Sequence, residues 1–424
     1  MKCLGNISSS KSISLGALSR YLEATSLRMY QTLEVLGPEH ELCVVDEMLK
    51  PLPIVDLIIK ELRGRISNNV HFKDFSFGKE LQSHVAEIKA NTPFESPCVF
   101  EETMYRAVTE LSDLLKKKFH AYFLGLGMHP LLKLKDVKIW AHKDREIYNA
   151  LGCIFNLKQH GWLNIQSFQL NLPYSSESAG VALHNTLSTI LPYLPAISAA
   201  SPVYESKLGK DVDNRLHFYA VNQKEVPSVS GDIIPDYISS FKEYRETTID
   251  KYSNELRRLN AHPCIIGKEW LNSRGSIIRF DRRAIEIRVM DEQECVKSDV
   301  ALSCFIRALL RGLLNEYQRP PHELLVSDYT SVIRDGLDAK VLLSGFSTAR
   351  DVCLYFFNIA TKNATDDEKK YLALIKKRIN DGNLSTIISA DIAKRSQKTS
   401  LEEAIHSIYL NLIDNLIDNK VYSS

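Results

Sequence analysis

The 424-residue sequence lacks any excess of charge: 53 Lys and Arg stand against 52 Asp and Glu, a formal net charge of +1. The totals therefore give no pull toward nucleic acid or an anionic membrane, and small-molecule substrates are the simpler expectation. Cysteines are few and scattered. The eight form no CxxC pair and no short-spaced framework, which suits free thiols in a reducing compartment and predicts a cytoplasmic protein. Long apolar runs are missing as well. Leu187 to Pro202 is interrupted by Pro192 and Pro195 and falls short of the roughly 20 residues that a membrane helix needs. Residues 1–30 carry Lys and Arg but no continuous apolar core before a cleavage site, so they read as a leader or a short packed helix rather than a signal peptide. Internal repeats, low-complexity tracts and a P-loop are absent too. A homo-oligomer is compatible with the sequence but not specified by it.

What is present is an ordinary globular composition, 44% hydrophobic and 25% charged. Three stretches alternate with the period of a strand: Leu33 to Asp46, Asn164 to Pro173 and Ser276 to Met290. Helical patterns lie between and after them. Pro97 to His120 places Met104, Val108, Leu111 and Leu115 on one face, Ile233 to Asn260 reads as a long, mostly polar helix, and Ser298 to Tyr317 as a buried one. Lys116, Lys117 and Lys118 fall at a solvated helix end, where cations suit the dipole. After Pro320-Pro321 the pattern turns wholly helical, with Leu401 to Ile417 the clearest case. The division expected is 1–30, a main domain over 31–320 and a helical C-terminal extension over 321–424. The fold class expected is α+β.

All three strands carry polar residues two apart, with apolar residues on the opposite parity. Glu39 and Glu41 share one face of the first strand, Gln169 and Asn171 one face of the second, and Glu286 and Arg288 one face of the third, whose other face holds Ile285, Ile287 and Val289. One face of the sheet is thus expected to be core and the other a lined site. Carboxylates two apart on a strand stand about 6 to 7 Å from each other and repel by about 2 to 3 kcal/mol at an effective dielectric near 20. A divalent cation reverses that sign, and carboxylate and amide oxygens are hard ligands of the kind magnesium takes together with substrate phosphates. Arg288, beside Glu286, can hold a phosphate bidentately. Glu80 and Glu87, in a segment running on to Thr92-Pro93, add two more carboxylates. Taken singly, an E-x-E or an I-E-I-R strand is more often a solvent-facing edge. His129 before Pro130, and His84, read as structurally hydrogen-bonded rather than catalytic. Cys43 shares the parity of Glu41 and reads as a small packed residue rather than a reactive thiol.

Eight motifs in order over Thr32 to Leu314 resemble those of the bacterial and plant glutamate-cysteine ligase family, which includes broader carboxylate-amine ligases and is distantly similar to glutamine synthetase. Gly37-x-Glu39-x-Glu41 resembles the family's opening strand, and Glu80 to Glu87 followed by Thr92-Pro93 its E-x6-E-x4-T-P segment. Gly127-Met128-His129-Pro130 resembles its G-x-H-P, and Arg145 with Tyr148 the R-Y-like segment downstream. Gln169-x-Asn171 ending in Ser175-Ser176-Glu177 looks like the plant-type pattern; many carboxylate-amine ligases have H-x-H there. Ser198 to Pro202 resembles a helix end, Arg215 the arginine that follows it, and Glu286-x-Arg288 with Asp291 the closing strand.

The resemblance implies a curved antiparallel sheet lining the active site, glutamine synthetase-like, with helices on its outer face. It also implies ATP-dependent amide formation through an acyl phosphate. In that chemistry Glu39, Glu41, Glu80, Glu87 and Glu286 hold Mg2+, Gln169 and Asn171 serve the metal shell or nucleotide, and Arg288 sits on the transferred phosphoryl group. Arg145 and Arg215 are candidates for substrate carboxylates or phosphates. Glutamate and cysteine are the expected substrates, which places the reaction in glutathione biosynthesis. Two other readings stay open: a ligase with a different amine acceptor, and a nucleotide-binding regulatory protein without turnover.

Overall fold

Gly37–Val45 forms β1, and every other strand of the main sheet is placed by reference to it. In chain order the strands are β2 (Asn69–His71), β3 (Phe75–Lys79), β4 (Val85–Ala90), β5 (Tyr122–Leu124), β6 (Ser167–Pro173), the small pair β7 (Val203–Tyr204) and β8 (Lys207–Leu208), then β9 (Ser276–Arg279) and β10 (Ala284–Asp291). The computed structural model describes residues 29–314 and 319–423; the expected leader at 1–30 lies almost wholly outside them. The main sheet has the order β2-β3-β4-β1-β6-β10-β9, with β5 beside the far end of β1, and all its pairings are antiparallel. The three stretches with strand periodicity thus lie side by side at the centre.

Ser276 to Met290 is a hairpin rather than one strand. Phe280, Asp281, Arg282 and Arg283 make its turn, with Arg283 at φ 52°. Within β10 the register slips between Ile287 and Met290, a bulge that bends the strand next to Arg288. The register pairs Glu41 with Glu87, Glu39 with both Lys89 and Gln169, and Glu286 with Asn171. One face of the sheet therefore collects the polar residues. The opposite face carries Leu42, Val44, Ile88, Phe168, Leu170, Leu172, Ile285 and Ile287, all buried in the main core. Each such side chain, fully removed from water, contributes about 1.5 to 3 kcal/mol.

Helix Pro97–Phe119 covers part of this face, and its capping explains its limits. Ser96 is extended, Pro97 takes the first turn, where its missing N–H costs nothing, the three lysines occupy the last turn, and His120 closes the helix in the left-handed region at φ 50°. Helix Glu177–Ile190 packs on β9 and β10, and helix Val296–Leu313 packs on both of these helices and is buried nearly all round. The helix expected over Ile233 to Asn260 starts only at Phe241, capped by the Ser240 side chain, and runs to Arg258 through a wide-turned stretch at Arg245–Ile249. Pro235 lies in the stretch before it and cannot donate to a helix ladder.

From His322 on, the helices are His322–Asp335, Ala349–Asn363, Asp366–Asp381, Leu384–Arg395 and Leu401–Asp418, with a short 3-10 turn at Gly336–Asp338. The first three join the main core. The last two form a second core with Cys43, Val45, Leu124 and Leu126. That placement explains Cys43: it lies on the same parity as Glu41, but by that point on β1 the polar face has passed beneath the C-terminal helices.

Candidate active site

The polar face of the sheet floors a cavity of about 370 Å³. Five carboxylates reach it, from Glu39 and Glu41 on β1, Glu80 after β3, Glu87 on β4 and Glu286 on β10, together with Lys79, Arg279, Arg282 and Arg288. The other side is aromatic and apolar: Ile147, Tyr148, Leu151, Trp162, Tyr219 and Trp270.

The carboxylates fall into two groups by their partners. Glu286 is buried and accepts from Arg279 Nη1 at 2.5 Å, with Arg288 Nε at 3.6 Å and Arg282 Nη1 at 3.8 Å. Glu39 pairs with Arg282 and accepts from Asn171 Nδ2 at 3.0 Å. Burial pushes the Glu39 carboxyl up, but Arg282, a hydrogen bond shared with Glu87 and the charge of Lys89 outweigh it and hold it at about 2. Glu87 pairs with Lys89, yet burial and the Glu39 charge drive it well above the usual carboxylate range. Glu41 accepts from the Ser167 N–H at 2.7 Å and Gln169 Nε2 at 2.8 Å. Among the described residues no cation forms an ion pair with Glu41 or Glu80. Burial, and then the charge of Glu80, push Glu41 up to about 7, and burial likewise raises Glu80. Glu41, Glu80 and Glu87 are thus the carboxyls that burial and mutual repulsion raise, Glu87 even with Lys89 beside it.

A set of carboxylate oxygens is the donor chemistry that a hard divalent cation takes. The converging donors are all oxygens, and burial with mutual repulsion favours the protonated form of Glu41, Glu80 and Glu87 over the charged one. The arginines complement this on the opposite flank. Arg288, fixed by Glu286 and by the carbonyls of Trp270 (3.5 Å) and Asn272 (3.3 Å), presents a positive edge to the cavity.

Several expected residues are placed elsewhere. Arg145 is the first residue of helix Arg145–Ile154 and is exposed; the helix turns Ile147, Tyr148 and Leu151 into the cavity instead. Arg215 is buried outside the cavity, its guanidinium committed to Asp291 and to the carbonyl of Arg288 at 3.4 Å, so it braces β10. Asn171 spends its amide on Glu39 and on the Gly37 carbonyl and does not line the cavity, whereas Gln169 lines it while tethering Glu41. His129 receives the Leu131 N–H at Nδ1, at 3.1 Å, and its own N–H donates to Asn164. Burial lowers it to about 3, leaving a neutral ring that braces the turn. His84 is likewise buried and lowered to about 3, by burial and by His129. A side chain at Gly127 would collide with the Asp291 carboxylate, which explains a glycine there.

Lys79, Arg279 and Arg282 escaped the sequence reading, as did the aromatic wall. Lys79 donates to the Tyr148 hydroxyl. The signal for Arg279 was available in principle: once the hairpin is recognised, Arg279 and Glu286 are diagonal neighbours on one face.

The fold is shared with solved ligases. A glutamate–cysteine ligase of Francisella tularensis, solved in complex with AMP, superposes with a TM-score of 0.63 at 14% identity, over 91% of this chain and 90% of that one. A bifunctional glutathione synthetase of Pasteurella multocida gives 0.61 at 12% identity, over 90% of this chain and 52% of its own length. Sheet, cavity and likeness together define an ATP-dependent carboxylate–amine ligase, an enzyme that forms carbon–nitrogen bonds. The chain belongs to glutamate-cysteine ligase family 2, whose sequence profile matches residues 35–407. It is also 45% identical over 389 residues, 92% of this chain and 100% of the relative, to an uncharacterized protein of Archaeoglobus fulgidus. Among the described residues no helix is long and apolar enough to cross a membrane.

Proposed function

We propose that the protein is a magnesium-dependent glutamate–cysteine ligase, making γ-glutamylcysteine from glutamate, cysteine and ATP. The observation that carries this reading is the convergence of Glu39, Glu41, Glu80, Glu87 and Glu286 on one cavity edged by Arg279, Arg282 and Arg288. The γ-phosphoryl group of ATP passes to the glutamate γ-carboxylate, giving an acyl phosphate and ADP. The cysteine amine then attacks the acyl carbon, phosphate leaves with the C–O bond, and the amine loses a proton.

Glu39, Glu41, Glu80, Glu87 and Glu286 would hold Mg2+, which when bound offsets the charge of the phosphate oxygens. Arg288 meets the negative charge of the transferred phosphoryl group from a fixed position, so little reorganisation is needed as that charge shifts. Gln169 and the Ser167 N–H hold Glu41 in place, and Asn171 and Arg282 do the same for Glu39. The rings of Tyr148, Trp162, Tyr219 and Trp270 supply flat apolar surface for the nucleobase and exclude water from the acyl phosphate. In this reading residues 31–320 carry the chemistry, while 321–424 form a helical extension whose last two helices buttress β1 from beyond Glu41.

The test is magnesium-dependent phosphate release from ATP with glutamate and a panel of amines, with mass detection of the product. Release that requires both glutamate and cysteine, with γ-glutamylcysteine formed, supports the reading. Turnover only with another amine keeps the ligase chemistry and replaces the acceptor.

A further inference from the structure

Behind β1, on the face away from the cavity, lies a second group of charged side chains that the ligase chemistry does not use. His40 projects between Glu39 and Glu41 in sequence but to the opposite side of the strand, against Phe168 and Phe100. Its Nδ1 lies 3.0 Å from Glu292 Oε1 and 3.5 Å from Asp299 Oδ2. Glu292 follows β10 and Asp299 lies in the first turns of helix Val296–Leu313, so three distant parts of the chain meet here. One ligand atom from each of the three side chains falls within 4.8 Å of the others. None of the three is more than 1% exposed.

Two features set this cluster apart from an ordinary buried ion pair. Two carboxylates face one imidazole nitrogen, with one oxygen of each within 3.5 Å of His40 Nδ1. Glu292 Oε2, both Asp299 carboxylate oxygens and His40 Nε2 also have no hydrogen-bond partner among the described residues, and leaving buried polar atoms unpaired is costly. A divalent cation bound to a neutral His40 balances both carboxylates and uses the free oxygens. A mixed imidazole and carboxylate set suits a first-row transition ion such as zinc rather than the all-oxygen preference of magnesium.

We infer that His40, Glu292 and Asp299 form a second, buried site for a divalent transition-metal ion of the zinc class, separate from the cavity carboxylates. Through His40 the ion ties β1 to the end of β10 and the start of helix Val296–Leu313, and so fixes the height of Glu39 and Glu41 on the other face. The site does not depend on which substrates the ligase joins.

The experiment strips the full-length protein with a chelator, re-equilibrates it with Zn2+, and passes it through buffer with excess Mg2+ before elemental analysis. Wild type is run beside Glu292→Gln, Asp299→Asn and the cavity double variant Glu41→Gln/Glu87→Gln. Retention of about one zinc per chain in wild type and in the cavity variant, reduced at least about tenfold in Glu292→Gln and Asp299→Asn, is the expected result. X-ray absorption at the zinc edge of wild type should show one imidazole nitrogen with oxygens and no sulfur, which decides the matter even if the substituted chains do not fold. Absence of retained zinc in wild type, its loss only from the cavity variant, or a spectrum without imidazole overturns the inference.

Discussion

Arg282, on the β9–β10 turn, reaches across β6 to pair with Glu39 on β1. The pair joins positions 243 residues apart in sequence and ties the turn to the floor of the cavity. Because Arg282 is 36% exposed on its side chain, solvent screens part of the attraction, and its importance lies in holding Glu39 ionised and in place.

Arg282→Gln should therefore lower kcat/KM by about 10- to 100-fold, about 1.4 to 2.7 kcal/mol of transition-state stabilisation, with the fold intact by circular dichroism. Steady-state kinetics against ATP concentration checks this. An unchanged kcat/KM would show that Glu39 does not need the pair.

Added Mg2+ should raise the melting temperature of the nucleotide-free protein by a few degrees, because positive charge relieves the repulsion among Glu41, Glu80 and Glu87. Glu87→Gln removes part of that repulsion and part of the ligand set together. Its melting temperature without Mg2+ should equal or exceed that of wild type, and its rise on adding Mg2+ should shrink. Scanning fluorimetry across a Mg2+ series measures both.

How much of this was legible in sequence follows from what strand parity can and cannot encode. Glu39 and Glu41, Gln169 and Asn171, and Glu286 and Arg288 were readable as pairs because a strand returns to the same face every second residue. The hairpin is hidden because its turn, Phe280 to Arg283, carries a single aspartate and no glycine or proline to mark it, and with it goes the partnership of Arg279 with Glu286. Motif position singles out Arg145 and Arg215 but says nothing of whether a guanidinium ends in solvent or against a buried carboxylate such as Asp291. Cys43 shows the same limit in another way: parity gives the face of a strand but not where along it the covering helices begin.

Glu368 joins helices Val296–Leu313 and Asp366–Asp381 by accepting from Arg307 Nε at 2.6 Å and Arg311 Nη1 at 2.5 Å. Glu368→Gln leaves the buried Arg307 short of its counter-charge and should cost about 3 kcal/mol in urea unfolding near neutral pH. Burial raises the Glu368 carboxyl, but the two arginines hold it net below its usual value. Its contribution is therefore complete above the unfolded glutamate pKa of about 4.3 and is lost as the pH falls through the lower folded value. The difference between wild type and variant should narrow in acid.

His184 titrates in the opposite sense to a salt-bridged histidine. Burial lowers it to about 4, and its Nε2 lies 3.1 Å from the Asp236 carbonyl. The folded state thus binds this proton less readily than the unfolded one, whose histidine pKa is near 6.5. Stability from this residue is complete above about pH 6.5 and falls as the pH drops from there toward 4, by about 2 kcal/mol at pH 5. Urea midpoints measured between pH 7.5 and 5 should decline in wild type and decline less steeply in His184→Gln.

The central claim is that the carboxylates converging on the cavity are the catalytic metal site of an ATP-dependent ligase, and the most direct measurement is ATP-dependent turnover in Glu39→Gln and Glu286→Gln. Loss of turnover by at least about 100-fold in both, with circular dichroism unchanged, is the predicted result. Rates near wild type in either variant would contradict the account.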